Sequence, residues 1–180
     1  QEASSIGISY GTAYLSLINY ANIKPTDIVL IHSATGGLGL AAIEICNYIG
    51  CRIIATAGNE TKREFLRNMG CIDFVTDSRN IKTYKNEILD YTNNIGVDVI
   101  LSATVDEYLL ANLELLKPTG TLLDVSKKSI YENKNISLSH FIKSIKYCSI
   151  HFDKLLETNN ELIRKILKEV IELFNDKKIQ

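Results

Sequence analysis

Thr26-Asp27-Ile28-Val29-Leu30-Ile31-His32-Ser33-Ala34-Thr35-Gly36-Gly37-Leu38-Gly39-Leu40-Ala41-Ala42-Ile43-Glu44-Ile45-Cys46 is the stretch that decides the fold. The apolar run Ile28 to Ile31 predicts a buried strand, reaching to Ser33. Ala34 to Gly39 predicts a tight turn. The spacing of Leu38, Ala41, Ala42, Ile45 and Ile49 then predicts a helix from about Leu38 to Ile49, closed by Gly50. Strand, glycine turn and helix in that order form the phosphate end of a dinucleotide fold. The glycines let backbone approach a pyrophosphate, whose charge rests on the helix N-terminus. The first glycine of a G-x-G-x-x-G pattern is replaced here by Ala34, so the flanking strand and helix carry the reading. A tight turn without ligand accounts for one glycine better than for three.

Before this stretch, apolar and small residues at Ala3, Ile6, Gly7, Tyr10, Ala13, Tyr14, Leu17 and Ile18 predict a lead-in helix, broken near Gly7 to Gly11. Lys24 to Asp27 is a turn. After it, strands and helices alternate. Strands are predicted at Arg52–Ala57, Ile72–Val75, Val97–Leu101, Thr121–Val125 and Lys146–Phe152. Helices are predicted at Glu60–Met69, Tyr84–Tyr91, Glu107–Leu116, Phe141–Ile145 and Asn160–Phe174, the last with Leu162, Ile166, Leu167, Val170, Ile171 and Phe174 inward. This alternation predicts an α/β fold, a Rossmann-type doubly wound parallel sheet with helices on both faces. The ligand crevice is expected where strand order reverses, between the first strand and Val97–Leu101. The division expected is a lead-in at 1–25, a nucleotide-binding domain at 26–175 and a short tail at 176–180.

A hydrophobic content of 46% with 23% charged residues predicts a globular protein, and a net charge of −1 argues against nucleic-acid and anionic-membrane surfaces. Cys46, Cys51, Cys71 and Cys148 form no C-x-x-C pair and lie in apolar surroundings, so reduced core residues of a cytoplasmic protein are expected. His32, His140 and His151 are too scattered to suggest a metal site. A packed or backbone-bonded role is expected for His32. A first residue Gln1 suggests a segment of something longer.

An NAD site places an acid at the end of the second strand to bind the ribose hydroxyls. Thr56-Ala57-Gly58-Asn59 offers none before Glu60, while Lys62, Arg63 and Arg79 stand nearby. A missing carboxylate with neighbouring cations is what a ribose 2′-phosphate requires, so NADPH is the expected cofactor. Lys62 and Arg79 are the candidates, and Arg63 is expected to point away. As ordinary solvated helix residues, Lys62 and Arg63 would need no ligand.

The stretch from Val29 to Ile43 resembles the zinc-free medium-chain dehydrogenase/reductases, and more narrowly the enoyl reductase domain of polyketide synthases and animal fatty acid synthase. Thr56-Ala57-Gly58 with Lys62-Arg63 is similar to that family's cofactor-specificity segment. Asp77-Ser78-Arg79 is similar to its D-S-R loop, and Gly96 to Leu101 to the strand leading to the nicotinamide. Lys127-Lys128-Ser129-Ile130-Tyr131 resembles its G-K-x-D-I-Y turn. The likeness runs from the first helix to about Phe174.

This resemblance implies reduction of an α,β-unsaturated acyl thioester carried on the phosphopantetheine arm of an acyl-carrier domain, with hydride delivered from NADPH to the β-carbon. It implies cofactor contacts from Thr12, Ser33, Ala34, Gly36, Gly37, Leu38, Gly39, Gly58, Lys62, Arg79, Ser102 and Ser126. It also implies no metal, an N-terminal catalytic half outside this chain, neighbouring synthase domains, and room for a homodimer in the parent protein. The isolated half is expected to be inactive. Without zinc the enolate needs hydrogen-bond donors, for which Lys127 and Lys62 are the candidates. Lys127 reads equally well as a solvated turn residue. Three positions depart from the family pattern. Ser102-Ala103 replaces Asn-Ser, Ser126 replaces glycine, and Lys82 replaces an Asp three residues after the D-S-R loop. Two alternatives stay open. One is a free-standing zinc-independent quinone or alkenal oxidoreductase; the other is an NADPH-binding scaffold without turnover.

Overall fold

The computed structural model describes residues 2–104 and 107–180, with side chains from Gly7 onward. Among the described residues six strands are found: β1 (Ile28–Ile31), β2 (Arg52–Ala57), β3 (Phe74–Asp77), β4 (Val97–Ser102), β5 (Leu116–Asp124) and β6 (Lys146–Ser149). All pairings are parallel, in the order β3-β2-β1-β4-β5-β6. Strand order reverses between β1 and β4, where Leu30 pairs with Ile54 on one side and Ile100 on the other. The expected Rossmann-type sheet is therefore present, with its crevice at the C-terminal ends of β1 and β4.

Helices cover both faces: α1 (Glu2–Tyr14), α2 (Gly37–Ile49), α3 (Glu60–Asn68), α4 (Ile81–Tyr91), α5 (Glu107–Leu115), α6 (Lys128–Tyr131), α7 (Phe152–Thr158) and α8 (Asn160–Asn175). Successive strand residues alternate between two cores. Val29, Ile31, Ile53 and Ala55 pack with α1, α2 and α8. Leu30, Ile54, Ile100 and Leu122 pack with Tyr84 and Ile88 of α4 and Leu113 of α5. Because both faces are covered, the strands read as near-continuous apolar runs rather than as alternating ones.

Several expected elements differ, each for a local reason. The lead-in helix does not break at Gly7 to Gly11. It runs unbroken through Tyr14 and passes into a π-helical turn, Leu15–Tyr20. Gly11 serves close packing instead, since a Cβ there would stand 2.6 Å from the ring of Phe152. The third strand lies at Phe74–Asp77 rather than 72–75, because the Asp73 carboxylate accepts from the Ile53 amide at 2.6 Å and so ends the loop. Helix α4 begins at Ile81, where the Asn80 side chain caps the Thr83 amide at 3.1 Å.

Strand β5 starts early, at Leu116, and Pro118 to Gly120 form an irregularity in it with Thr119 at φ 66°. The last strand stops at Ser149, and Phe152 opens α7, an element the apolar pattern had merged into the strand. Residues 138–143 form a 3-10 turn rather than a helix over 141–145. On α8 the inward residue is Ile163, 2% exposed, and not Ile171, 57% exposed. The two ends of the chain meet on α2. The Tyr10 hydroxyl lies 2.8 Å from Glu44 Oε2 and 2.6 Å from the Gln180 carbonyl oxygen, with one proton to share between them, and the Gln180 amide donates to Glu44 Oε2 (2.7 Å).

Candidate nucleotide site

The turn after β1 is built by backbone. Ser33 takes a left-handed conformation at φ 52°, and its carbonyl accepts from the Gly36 amide at 2.9 Å. The amide of Ala34, whose side chain is fully buried, donates to the Thr56 carbonyl at 3.1 Å, which ties the turn to the end of β2. Gly36 is the N-cap of α2 and supplies no capping side chain. The first-turn amides of α2 therefore keep their donors for a ligand. Gly36 and Gly37 are exposed and Leu38 half-buried. Gly39 faces inward, where a Cβ would come within 2.6 Å of Ala34 backbone. On one side of Gly37, Ser9 Oγ of α1 would stand 3.1 Å from a Cβ.

At the ends of β2 and β3 the cations divide. Arg63 is spent within the protein: it bonds the Ala57 carbonyl at 3.1 Å and pairs with Glu60 at 2.7 Å and Asp77 at 3.4 Å. Lys62 and Arg79 are exposed and have no carboxylate partner among the described residues. Gly58 leaves room for Arg79, since a Cβ would lie 3.0 Å from its Nε. No acid stands at positions 56–59. These residues suit a ribose bearing a 2′-phosphate, which needs cations and no competing carboxylate.

At the other side of the crevice lies a cavity of about 250 Å³, lined by Thr12 of α1, Leu38, Val125, Lys127, Phe152 and Asp153 among others. Lys127 Nζ pairs with Asp153 Oδ2 at 2.5 Å, and the ammonium holds the Asp153 carboxyl below its usual range. Ser126 is buried, with its amide on Asp124 Oδ1 at 2.7 Å and, among the described residues, no partner for its hydroxyl. Lys82 is exposed, on α4.

Ser102 turns inward, into a buried polar network under the crevice. Its hydroxyl meets Thr104 Oγ1 at 2.6 Å and accepts from Asn112 Nδ2 at 3.2 Å. His32 Nε2 lies 2.9 Å from Asn112 Oδ1 and Nδ1 lies 3.1 Å from Thr56 Oγ1. Asn112 Oδ1 can only accept, so Nε2 carries the proton and Nδ1 accepts from Thr56. His32 is thus held by side chains rather than by backbone. Burial drives its pKa down to about 4. Asn112, Tyr108 and Asp153 were not singled out from sequence. Asn112 had a signal, one amide inside the apolar run Leu109 to Leu116; the other two had none.

Among the described residues no group of three or more His, Cys, Asp or Glu side chains is placed to hold a metal, and no helix is long and apolar enough to cross a membrane. All four cysteines are free thiols.

The family model of the zinc-binding dehydrogenases matches residues 37–173. The chain is 35% identical over 179 residues to a phenolphthiocerol/phthiocerol polyketide synthase of Mycobacterium tuberculosis, covering 99% of this chain but 8% of that synthase polypeptide. Its fold superposes on the nucleotide-binding subdomain of the enoylreductase domain of PpsC from Mycobacterium tuberculosis with a TM-score of 0.92, at 35% identity over 97% of both chains. It also matches the CurK enoyl reductase, with a TM-score of 0.87 and 30% identity, over 100% of this chain and 53% of that one.

Proposed function

This chain belongs to the zinc-binding dehydrogenase family and, within it, to the nucleotide-binding subdomains of polyketide synthase enoyl reductases; from that premise we propose that it binds NADPH for the reduction of an enoyl thioester. Despite the family's description, the described residues offer no metal-binding cluster. The observation that carries the NADPH reading is the division of cations at the ends of β2 and β3. Arg63 is neutralised by Glu60 and Asp77, while Lys62 and Arg79 keep their charge facing solvent.

The α2 N-terminus and the Gly36-Gly37 backbone would hold the pyrophosphate, Lys62 and Arg79 the 2′-phosphate. When bound, the cofactor supplies hydride for the β-carbon of the substrate. Lys127, held by Asp153 beside Leu38 and Thr12, would place an ammonium donor toward the thioester oxygen. The substrate is an α,β-unsaturated acyl group on a carrier's phosphopantetheine. The partners are the neighbouring synthase domains and the remaining half of the reductase. Residues 26–175 form the nucleotide-binding domain, against which 1–25 pack through Tyr10, Ala13, Leu15 and Leu17 and 176–180 through Ile179 and Gln180. The four free thiols suit the reducing cytoplasm.

Calorimetry with NADPH and NADH tests the reading. NADPH should bind at least about tenfold more tightly, since charged contacts of this kind contribute roughly 1.5–3 kcal/mol. Equal affinities would overturn it.

A further inference from the structure

Arg79 stands on an exposed loop between β3 and α4, yet its backbone is fixed at both ends. Its amide donates to Asp77 Oδ1 at 2.8 Å, and its carbonyl accepts from the Tyr108 hydroxyl at 3.0 Å. Tyr108 lies in the first turn of α5, 29 residues further along the chain. Its ring stacks on Tyr84, with centroids 6.0 Å apart and planes 4° from parallel. Tyr84 is fully buried. It donates to Asn112 Oδ1 at 3.3 Å and packs against the edge of His32 at 5.4 Å. A chain of contacts thus runs from the buried network under the crevice through two tyrosine rings to the Arg79 carbonyl.

We propose that Tyr108 is a specificity-determining residue for the nucleotide: it holds the Arg79 loop so that the guanidinium, lying over Gly58, faces the 2′-phosphate. This rests on the NADPH reading above. An arginine on an unanchored exposed loop loses much conformational freedom when it engages a phosphate. Anchoring the loop beforehand removes part of that cost and so tightens binding. The Tyr108 hydroxyl is spent on the Arg79 carbonyl. Its contribution therefore appears for ligands that use the Arg79 side chain and vanishes for ligands that do not. Tyr108 is a positioning residue; the contact with phosphate is made by Arg79.

The test is calorimetric binding of NADP⁺ and NAD⁺ to the 180-residue chain and its variants. Tyr108→Phe keeps the stacked ring and removes one hydrogen bond, so the fold is retained. NADP⁺ affinity should fall about three- to tenfold, the range of one such bond, while NAD⁺ affinity stays unchanged. In an Arg79→Ala background the same substitution should have no further effect on NADP⁺. An equal loss for both nucleotides, or none for either, overturns the role of Tyr108 while leaving the NADPH reading intact. An unmutated chain that binds both nucleotides equally overturns that reading, and the role of Tyr108 with it.

Discussion

A Cβ placed on Gly39 would lie 2.6 Å from the Cα and carbonyl oxygen of Ala34, so α2 rests directly on the backbone of the turn that precedes it. The obstacle is main chain and cannot rotate away. Gly39→Ala must push the helix and the turn apart, and overpacking of this kind costs about 1–3 kcal/mol. The melting temperature should fall by several degrees. Gly7→Ala is the contrast: among the described residues nothing lies within 4 Å of a Cβ in that helical position, so the melt should rise slightly. A Gly39→Ala protein that melts with the parent would mean the turn yields freely.

Lys62→Ala should weaken NADPH and leave NADH nearly untouched. The side chain has no carboxylate partner among the described residues, so its removal breaks no ion pair within the fold. The loss expected is about 1.5–3 kcal/mol for a charged contact with phosphate, or tenfold and more in affinity. Arg63→Ala should behave differently. That guanidinium joins Glu60, Asp77 and the Ala57 carbonyl, and its loss should lower the melting temperature as well. Titrating both variants with both nucleotides separates the two outcomes.

His32 makes stability depend on pH. Its folded pKa is pushed down to about 4 by burial, against 6.5 for an unperturbed imidazole. Between those values the unfolded chain binds a proton that the folded chain does not, so stability rises with pH across this window. The contribution is fully present above pH 6.5 and is lost as pH falls towards 4, by an amount on the order of 3 kcal/mol. His32→Gln, neutral throughout, should show a shallower fall in urea-derived stability from pH 6.5 to 4.5. Identical slopes for the two proteins would mean that His32 protonates without opening the core.

By itself the chain should bind NADPH yet reduce a crotonyl thioester mimic little or not at all. It corresponds to 53% of the CurK enoyl reductase chain, and the cavity beside Lys127 is open on one side of the crevice. Positioning substrate within hydride distance can account for about 7–11 kcal/mol of a barrier, and one wall cannot supply it. Lys127→Ala in the intact reductase should then lower turnover by roughly 100-fold, as for loss of an oxyanion donor, with NADPH affinity unchanged. Full turnover by the 180-residue chain would place all the catalytic groups inside it.

The sheet was legible because its strands are buried on both faces. Continuous runs such as Ile28 to Ile31 and Val97 to Leu101 admit few readings, and Gly50 and Gly70 mark helix ends with left-handed φ of 88° and 71°. Boundaries set by side-chain caps were less legible. Asn80 and Asp73 act through single hydrogen bonds that leave no periodic trace. Helix α7 was hidden because Phe152 continues the apolar run of β6 and turns inward only on meeting Gly11, far away in sequence. In the site, the glycine turn and the absence of an acid after β2 were visible because both are local. Arg63 meets Glu60 locally, three residues back on α3, but its second carboxylate, Asp77, comes alongside only through the β2–β3 pairing. Tyr108 and Asp153 reach their partners 29 and 26 residues away, and nothing in their own neighbourhoods announces this.

The sheet order has a consequence for how such a protein can change. The side chains that would touch the 2′-phosphate, Lys62 and Arg79, lie with β2 and β3 on one flank of β1, whereas Lys127, Asp153 and the cavity lie with β5 and β6 on the other. Cofactor preference and acyl chemistry can therefore drift as separate traits, each tuned by loop substitutions that leave the opposite flank as it was. The hydroxyl of Tyr108 reaches from the β4 side to the Arg79 loop, so a change at that tyrosine is the exception: it lies across β1 from the phosphate side chains yet would be felt among them.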